Sequence, residues 1–132
     1  YIDTEGFFLK MEGKKVFRYA MEYVPFVINN CLAKAAINIE DVKYFIIHQA
    51  NGKMIQLIGR ELFRSHGISE FNEDVLPINV YTMGNNSVAT IPTLLHEIQH
   101  RQFKGLNIDK GDVVVFASVG AGMHANCIIH RF

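Results

Sequence analysis

One short run of apolar residues, Lys43–His48 (KYFIIH), constrains the fold of this chain more than any other feature. The run is unbroken between its polar ends and does not alternate apolar with polar residues. Strands with this pattern are covered on both faces, as they are in sheets that have helices on either side. The run therefore predicts a buried strand inside a layered α/β fold.

Three segments have the periodicity of amphipathic helices, because their apolar residues recur at three- and four-residue steps. The first segment runs from about Lys14 to Ala36, and the second runs from about Gly52 to Ser65. The third ends near Lys104, and either Ser87 or Thr90 can cap its start. These helices are expected to form the layers that cover the sheet.

Three further strands are predicted at Pro77–Thr82, Val113–Ala117 and Ala125–Arg131. The small-residue turn Gly120–Ala121–Gly122 joins the last two strands, which we expect to form an antiparallel hairpin. Residues 66–76 are interpreted as a surface loop. The resulting order, α-β-α-β-α-β-β, predicts an α/β fold in which helices pack on a mixed sheet.

The composition limits the functions that such a chain can have. The 132 residues fit one domain, residues 1–132, and 49% hydrophobic with 20% charged residues argues against disorder. Because 13 basic residues balance 13 acidic ones, we expect no binding to nucleic acid.

No apolar run reaches the roughly 20 residues of a membrane helix, so no membrane association is expected. The two cysteines form no disulfide framework, which favours the cytoplasm. The sequence begins with Tyr1 rather than methionine, so we expect a fragment of a longer protein.

Three groups of polar or small residues follow predicted strands: His48–Asn51 (HQAN), Gly84–Ser87 (GNNS) and Gly120–Gly122 (GAG). Loops at the ends of strands in one sheet can converge on one point, where α/β folds bind their ligands. Imidazole, carboxamide and backbone N–H donors around such a point can stabilise negative charge that develops on oxygen. Each group alone can also have a purely structural role, either as a structural histidine or as an ordinary turn.

The order of these motifs resembles the C-terminal half of the beta-ketoacyl-acyl carrier protein synthase III family, in the thiolase superfamily. The resemblance extends from about Phe7 to Phe132. It implies a thiolase-like half domain. Its landmarks along the chain are FLKMEG at 8–13, HQAN at 48–51, GNNS at 84–87 and VGAG at 119–122.

The resemblance implies a Cys-His-Asn catalytic set in which His48 is the histidine and Asn85 is the asparagine. The nucleophilic cysteine would belong to the N-terminal half, and Cys31 and Cys127 are interpreted as structural. Members of the family condense an acyl thioester with malonyl-acyl carrier protein, and the two neutral donors would hold the enolate oxygen that decarboxylation produces. The backbone N–H near Ala121 would complete the oxyanion hole for acyl transfer.

The resemblance also implies a channel for the pantetheine arm and acyl chain of the substrate. Asn51 matches a residue that contacts pantetheine. Other positions match the walls of the channel, although plain core packing explains three of them, Leu9, Met11 and Phe17, equally well. The wall positions are Leu9, Met11, Gly13 and Phe17.

A row of basic residues on the second helix has two explanations. Lys53, Arg60 and Arg64 share one face, which can simply be a solvated face. Alternatively, positive charge steers an acidic acyl carrier protein toward the site. Arg18, Lys53 and Arg60 match family positions implicated in that docking.

A rival signal is the segment His96–His100 (HEIQH), which fits the zinc-protease pattern H-E-x-x-H. A third ligand is lacking, because no histidine follows at a recognised spacing and no glutamate follows Glu97. Both histidines lie opposite the apolar stripe of their helix, so a solvated face explains them. A zinc hydrolase is the less favoured alternative, and we predict no metal site.

The sequence therefore predicts the C-terminal domain of a cytoplasmic condensing enzyme of fatty-acid or related biosynthesis. Alone, it is expected to be inactive because the nucleophile is absent. Acyl-CoA and malonyl-acyl carrier protein would be its substrates, without a cofactor, and the full-length enzyme would be a homodimer. A relative that binds acyl carrier protein or CoA, or an acyltransferase that does not condense, remains an alternative.

Overall fold

A computed structural model describes residues 11–132, except for the side chain of Ala121. Leu9, which is predicted to line the substrate channel, lies outside the described residues. The helices and strands, in chain order, are α1 (Gly13–Ala35), β1 (Val42–Ile47), α2 (Gly52–Ser65), α3 (Val80–Met83), α4 (Thr90–Gln99), β2 (Val113–Gly120) and β3 (His124–Arg131).

The described strands form one mixed sheet in the order β1-β2-β3. Strands β1 and β2 run parallel, with Phe45 opposite Val115. Strands β2 and β3 run antiparallel, with Val115 opposite Ile129, and the short turn Ala121–Met123 joins them. The predicted mixed sheet and closing hairpin are therefore confirmed.

The sheet is covered on both faces, as the apolar run in β1 predicts. Helices α1 and α2 pack on one face together with Phe45 and Ile47 of β1. Helix α4 packs on the other face together with Tyr44 and Ile46. Because both faces of β1 are buried, each of its central positions is apolar.

Helices α1 and α2 agree with the predicted helices. Pro25 lies inside α1, where proline is expected to kink or break a helix, but α1 continues through it as one helix. It ends at Ala35, because Ala36 adopts a left-handed conformation (φ 52°), and the N–H of Ile37 closes the last turn on the carbonyl of Leu32 (3.1 Å).

The predicted strand at Pro77–Thr82 is wrong, because part of this segment forms the one-turn helix α3 and none of it forms a strand. The backbone N–H of Asn79 donates to Oε1 of the buried Gln49 (3.0 Å). The carbonyl of Asn79 accepts from two N–H groups of α3. Since these groups are paired in a turn, they cannot join a sheet ladder, and the order is α-β-α-α-α-β-β.

Helix α4 is shorter than predicted, since it ends at Gln99 rather than near Lys104. Arg101 adopts a left-handed conformation (φ 56°), and the N–H of Gln102 donates to the carbonyl of Glu97 (2.7 Å). This bond satisfies a carbonyl of the last turn and turns the chain away from the helix axis.

The start of α4 also differs from the prediction. Its N-cap is Ala89, and no side chain caps the helix. Thr90 is the first helical residue, and its hydroxyl forms a hydrogen bond with the side chain of His48 instead of capping the helix. Within residues 11–132, none of the helices combines the length and apolar character needed to cross a membrane.

Candidate active site

His48 lies one residue beyond β1, and its backbone N–H donates to the carbonyl of Ala117 (2.9 Å), which extends the parallel pairing. Its Nδ1 lies 2.6 Å from Oγ1 of Thr90, at the start of α4. Burial lowers the pKa of the imidazole below its usual value, because a charged ring would lose hydration. His48 is therefore a neutral side chain near pH 7, held by two elements of the core.

Asn85 lies on an exposed loop of unusual backbone geometry. Gly84 has φ 69° and ψ −177°, a region that is essentially restricted to glycine. The N–H of Ser87 donates to Oδ1 of Asn85 (3.0 Å), and Ser87 itself has a positive φ of 58°. Because the carboxamide oxygen is already an acceptor within the loop, the Nδ2 group of Asn85 is left as a donor.

The third loop, between β2 and β3, contains Ala121, whose backbone N–H is predicted to contribute to an oxyanion hole. The loop turns at Gly122, which has φ 73°, and Met123 also has a positive φ of 59°. The hydroxyl of Tyr19, on α1, donates to the carbonyl of Met123 and ties the loop to that helix.

One cavity of about 810 Å³ lies between these three loops and the start of α1. His48 and Asn85 both line it, so the two predicted donors lie at a common site. Met11 and Phe17 also line it, and they are 73% and 41% exposed, so neither is a core residue. The predicted site residues on its wall are Met11, Gly13, Phe17, His48, Asn51, Lys53 and Asn85, together with Gly120 and Gly122 on either side of Ala121.

Asn51, predicted to contact pantetheine, has a structural role as the N-cap of α2. Its Oδ1 accepts from the N–H of Met54 (3.2 Å) and satisfies one unpaired donor of the first turn. As in Asn85, this leaves the amide nitrogen as the free end of the side chain. Asn51 can therefore cap its helix and donate to a ligand in the cavity at the same time.

The three predicted docking residues are exposed but do not share one pocket. Lys53 is at the rim of the His48 cavity, and Arg18 lines a shallow depression beside it with Phe17. Arg60 lines a different cavity, of about 610 Å³, between α2, α3 and the end of α4. Arg64, on the same helix, pairs with Glu61 (2.8 Å).

The HEIQH segment forms the end of α4, with His100 as its C-cap, and both histidines are exposed to solvent. The rings of His96 and His100 are in contact, with their centroids 4.0 Å apart and their planes tilted by 34°. Glu97 accepts a hydrogen bond from Nδ2 of Asn79 (2.6 Å), which links it to the fold. Among the residues that the structure describes, no group of three or more histidine, cysteine, aspartate or glutamate side chains could hold a metal ion.

Neither cysteine lines the His48 cavity. Cys31, on α1, lies with its Sγ 3.8 Å from the carbonyl of Cys127, on β3. Burial raises the pKa of the Cys127 thiol to about 12, so this group carries almost no thiolate at neutral pH. These positions agree with the interpretation of both cysteines as structural.

Two residues that organise the site were missed by the sequence analysis. Gln49 is fully buried and donates from Nε2 to the carbonyls of Ile47 (2.8 Å) and Pro77 (3.3 Å), so it fixes the segment that leads to Asn85. The sequence indicates Thr90 only as a possible helix cap. A polar side chain directly after a buried strand was the available signal for Gln49, whereas nothing local connects Thr90 with His48, 42 positions earlier.

Solved structures place this arrangement in a known class, the thiolase-like fold. Over its full length, the chain superimposes with a TM-score of 0.81 on 39% of 3-oxoacyl-(acyl-carrier-protein) synthase III of Aquifex aeolicus, at 26% identity. It covers 38% of the corresponding synthase of Thermus thermophilus, with a TM-score of 0.78 and 27% identity over 98% of this chain.

Sequence comparison gives the family. Residues 32–132 match the family described as the C-terminal part of 3-oxoacyl-(acyl-carrier-protein) synthase III, and the chain belongs to this family. It is 37% identical over 124 residues to beta-ketoacyl-(acyl-carrier-protein) synthase III of Porphyra umbilicalis, a match that covers 94% of this chain and 35% of the relative. The corresponding synthase of Clostridium tetani is 36% identical over 92% of this chain. The chain thus spans about a third of the length of the curated relatives it matches.

Proposed function

We propose that the chain forms the C-terminal part of a condensing enzyme that joins an acyl thioester to malonyl-acyl carrier protein in fatty-acid or related biosynthesis. His48 and Asn85 hold the oxygen on which negative charge develops. The acyl group is carried by a cysteine elsewhere in the full-length protein, since neither Cys31 nor Cys127 lines the cavity.

In the proposed reaction, the C–C bond to the malonyl carboxylate breaks and carbon dioxide leaves. The electron pair of that bond becomes the enolate of the thioester, with most of its charge on oxygen. The enolate carbon then attacks the acyl carbonyl, and collapse of the tetrahedral adduct expels the cysteine thiolate. A backbone N–H near Ala121 stabilises the oxyanion of this adduct. No cofactor is required, because the thioester already activates the carbon that becomes nucleophilic.

The observation that carries this proposal is the orientation of Asn85. Its Oδ1 accepts from the backbone of its own loop and the residue lines the cavity, so Nδ2 is available there as a neutral N–H donor. His48 lines the same cavity with a lowered pKa. Two neutral donors suit an enolate oxygen, because neither has to lose a proton during the reaction.

The substrates and partners follow from the same site. Asn51 and the walls at Met11, Gly13 and Phe17 accommodate a pantetheine arm and its acyl chain. Lys53 and Arg18 beside the cavity, and Arg60 farther along α2, give the surface the positive charge that an acidic acyl carrier protein would recognise. We further propose that the full-length enzyme is a homodimer of the cytoplasm that accepts CoA thioesters.

The test compares two adjacent asparagines in the full-length enzyme. Asn85→Asp keeps the shape of the side chain but replaces the donor by a negative oxygen. We expect it to slow carbon dioxide release from malonyl-acyl carrier protein by about 10²–10³, the usual loss when one such donor is removed. Asn86→Asp is the matched control, because Nδ2 of Asn86 donates to Thr93 (3.3 Å) and the residue does not line the cavity.

His48→Ala should reduce decarboxylation to a similar degree. Near-normal carbon dioxide release by both His48→Ala and Asn85→Asp would contradict the proposal. If acyl transfer proceeds in the wild-type enzyme but malonyl thioester is never decarboxylated, the chain belongs instead to an acyltransferase that does not condense.

A further inference from the structure

Thr90 carries a buried hydroxyl in direct contact with the candidate active site. The residue is 2% exposed, and its Oγ1 lies 2.6 Å from Nδ1 of His48. Among the residues that the structure describes, this is the one hydrogen bond that its side chain makes. The pair connects the end of β1 with the first residue of α4, on the face of the sheet opposite α1 and α2.

The surroundings of Thr90 determine which partner donates. The 3₁₀ turn Ser87–Ala89 leads into α4, but no carbonyl among the described residues accepts a hydrogen bond from the Thr90 hydroxyl. If Nδ1–H of His48 donated to Thr90, the hydroxyl proton would need a second acceptor, and a buried donor without one is costly. A hydroxyl that donates to Nδ1 satisfies both groups with a single bond.

We infer that Thr90 is a positioning residue whose hydroxyl donates to Nδ1 of His48 and so fixes the neutral tautomer that carries its proton on Nε2. Nε2 is the ring nitrogen left free of this bond, on a side chain that lines the cavity. The catalytic consequence rests on the proposed function, because only this neutral tautomer donates from Nε2 to an enolate oxygen.

The start of α4 contributes to the same result. The partial positive charge of a helix N-terminus disfavours an imidazolium beside it. Burial of the ring acts in the same direction, because it lowers the pKa of His48. Thr90 therefore selects the tautomer while the helix and the burial keep the ring neutral.

The direct test is nitrogen NMR of the full-length protein labelled with ¹⁵N in histidine. The His48 signals are assigned by their loss in His48→Gln. We expect a proton on Nε2 and a hydrogen-bonded, unprotonated Nδ1 in the wild type, and a shifted Nδ1 signal in Thr90→Val, which keeps the shape of threonine without its hydroxyl. A protonated Nδ1 in the wild-type protein would overturn the inference.

Kinetics supply the second readout. Thr90→Val should lower kcat for malonyl decarboxylation on the order of tenfold, since it leaves Nδ1 of His48 without its hydrogen-bond partner. The KM should change little, because the hydroxyl does not touch the substrate. Thr90→Ser should restore the rate, because serine keeps the hydroxyl that bonds to His48. Equal rates in Thr90→Val and the wild type, or no rescue by Thr90→Ser, would contradict the inference.

The two proposals fail separately. If His48→Ala and Asn85→Asp both retain turnover, the proposed function is wrong, but the nitrogen spectrum still decides whether Thr90 donates to His48. If Thr90→Val does not fold, the wild-type nitrogen spectrum remains decisive.

Discussion

The two donors of the candidate site face one cavity but are held in opposite ways. His48 continues the buried strand β1 and bonds to the buried Thr90, so two elements of the core fix it. Asn85 lies on the 84–87 loop, whose residues are all exposed, and its orientation depends on a bond within that loop. The loop has positive φ angles at Gly84 and Ser87, and a hydrogen bond from Nδ2 of Asn86 to Thr93 (3.3 Å) ties it to α4.

Because His48 is anchored in the core and Asn85 on an exposed loop, substitutions near the two residues should affect stability and activity differently. A change near His48 is expected to disturb the core and the proposed catalytic histidine together. A change in the 84–87 loop removes few buried contacts, so it should act mainly on the site. Catalytic loops supported by a rigid scaffold commonly show this division. Substitutions in the two regions should therefore give different ratios of stability loss to activity loss.

The largest expected effect tests the region that anchors His48. Phe45 is fully buried in β1 and packs edge-on against Phe63 of α2, with ring centroids 5.7 Å apart. Phe45→Ala should lower the free energy of unfolding by about 3–5 kcal/mol, measured by urea denaturation, because it removes a large buried ring and leaves a cavity.

Tyr81 gives the matched aromatic control from the segment that leads to Asn85. It is 73% exposed, so Tyr81→Ala should cost less than about 1 kcal/mol. Equal losses for Phe45→Ala and Tyr81→Ala would show that the two regions are not anchored differently.

The same difference explains how much could be predicted from the sequence. The buried strands and α2 were predicted closely, because their apolar patterns record the burial that stabilises them. The segment at Pro77–Thr82 was mistaken for a strand, since the side chain of Gln49, 28 residues away from Pro77, takes part in the hydrogen bonds that turn it. The local sequence pattern cannot predict such a long-range polar contact.

The candidate site also has features that the sequence predicts and features that it does not. The motifs identified His48, Asn51 and Asn85, and the structure brings them to one cavity, although their roles stay predictions. The short spacing in Asn85-Asn86-Ser87 could have suggested that Asn85 accepts from the backbone two residues on, a habit of asparagine in turns. The partner of His48 could not be predicted, because it depends on the packing of α4 against the sheet.

An intermediate effect tests the 84–87 loop. Alanine at Gly84 must adopt φ 69° and ψ −177°, which costs about 1–3 kcal/mol or forces the loop to rearrange. Rearrangement would displace Asn85, so Gly84→Ala should lower kcat for decarboxylation more than it lowers the unfolding free energy of the protein.

Gly67 offers a matched control, because it also has a positive φ (77°) with no atom within 4 Å of an added Cβ, but it does not line the cavity. Gly67→Ala should destabilise the protein with little change in kcat. If both variants lose stability and activity in the same proportion, the 84–87 loop does not act mainly on the site.

The smallest expected effect distinguishes the two donors by pH, since the His48 side chain titrates and the carboxamide of Asn85 does not. Burial lowers the pKa of His48 in the folded protein, whereas the unfolded chain retains a value of about 6.5. Between these two values, the unfolded state binds more protons than the folded state. The free energy of unfolding should therefore fall as the pH drops below about 6.5, and His48→Gln should remove this part of the decline. Urea denaturation of both proteins from neutral to mildly acidic pH measures the difference. Parallel stability curves for the two proteins would mean that His48 gains no proton on unfolding. That result would contradict the lowered pKa of its ring in the folded protein.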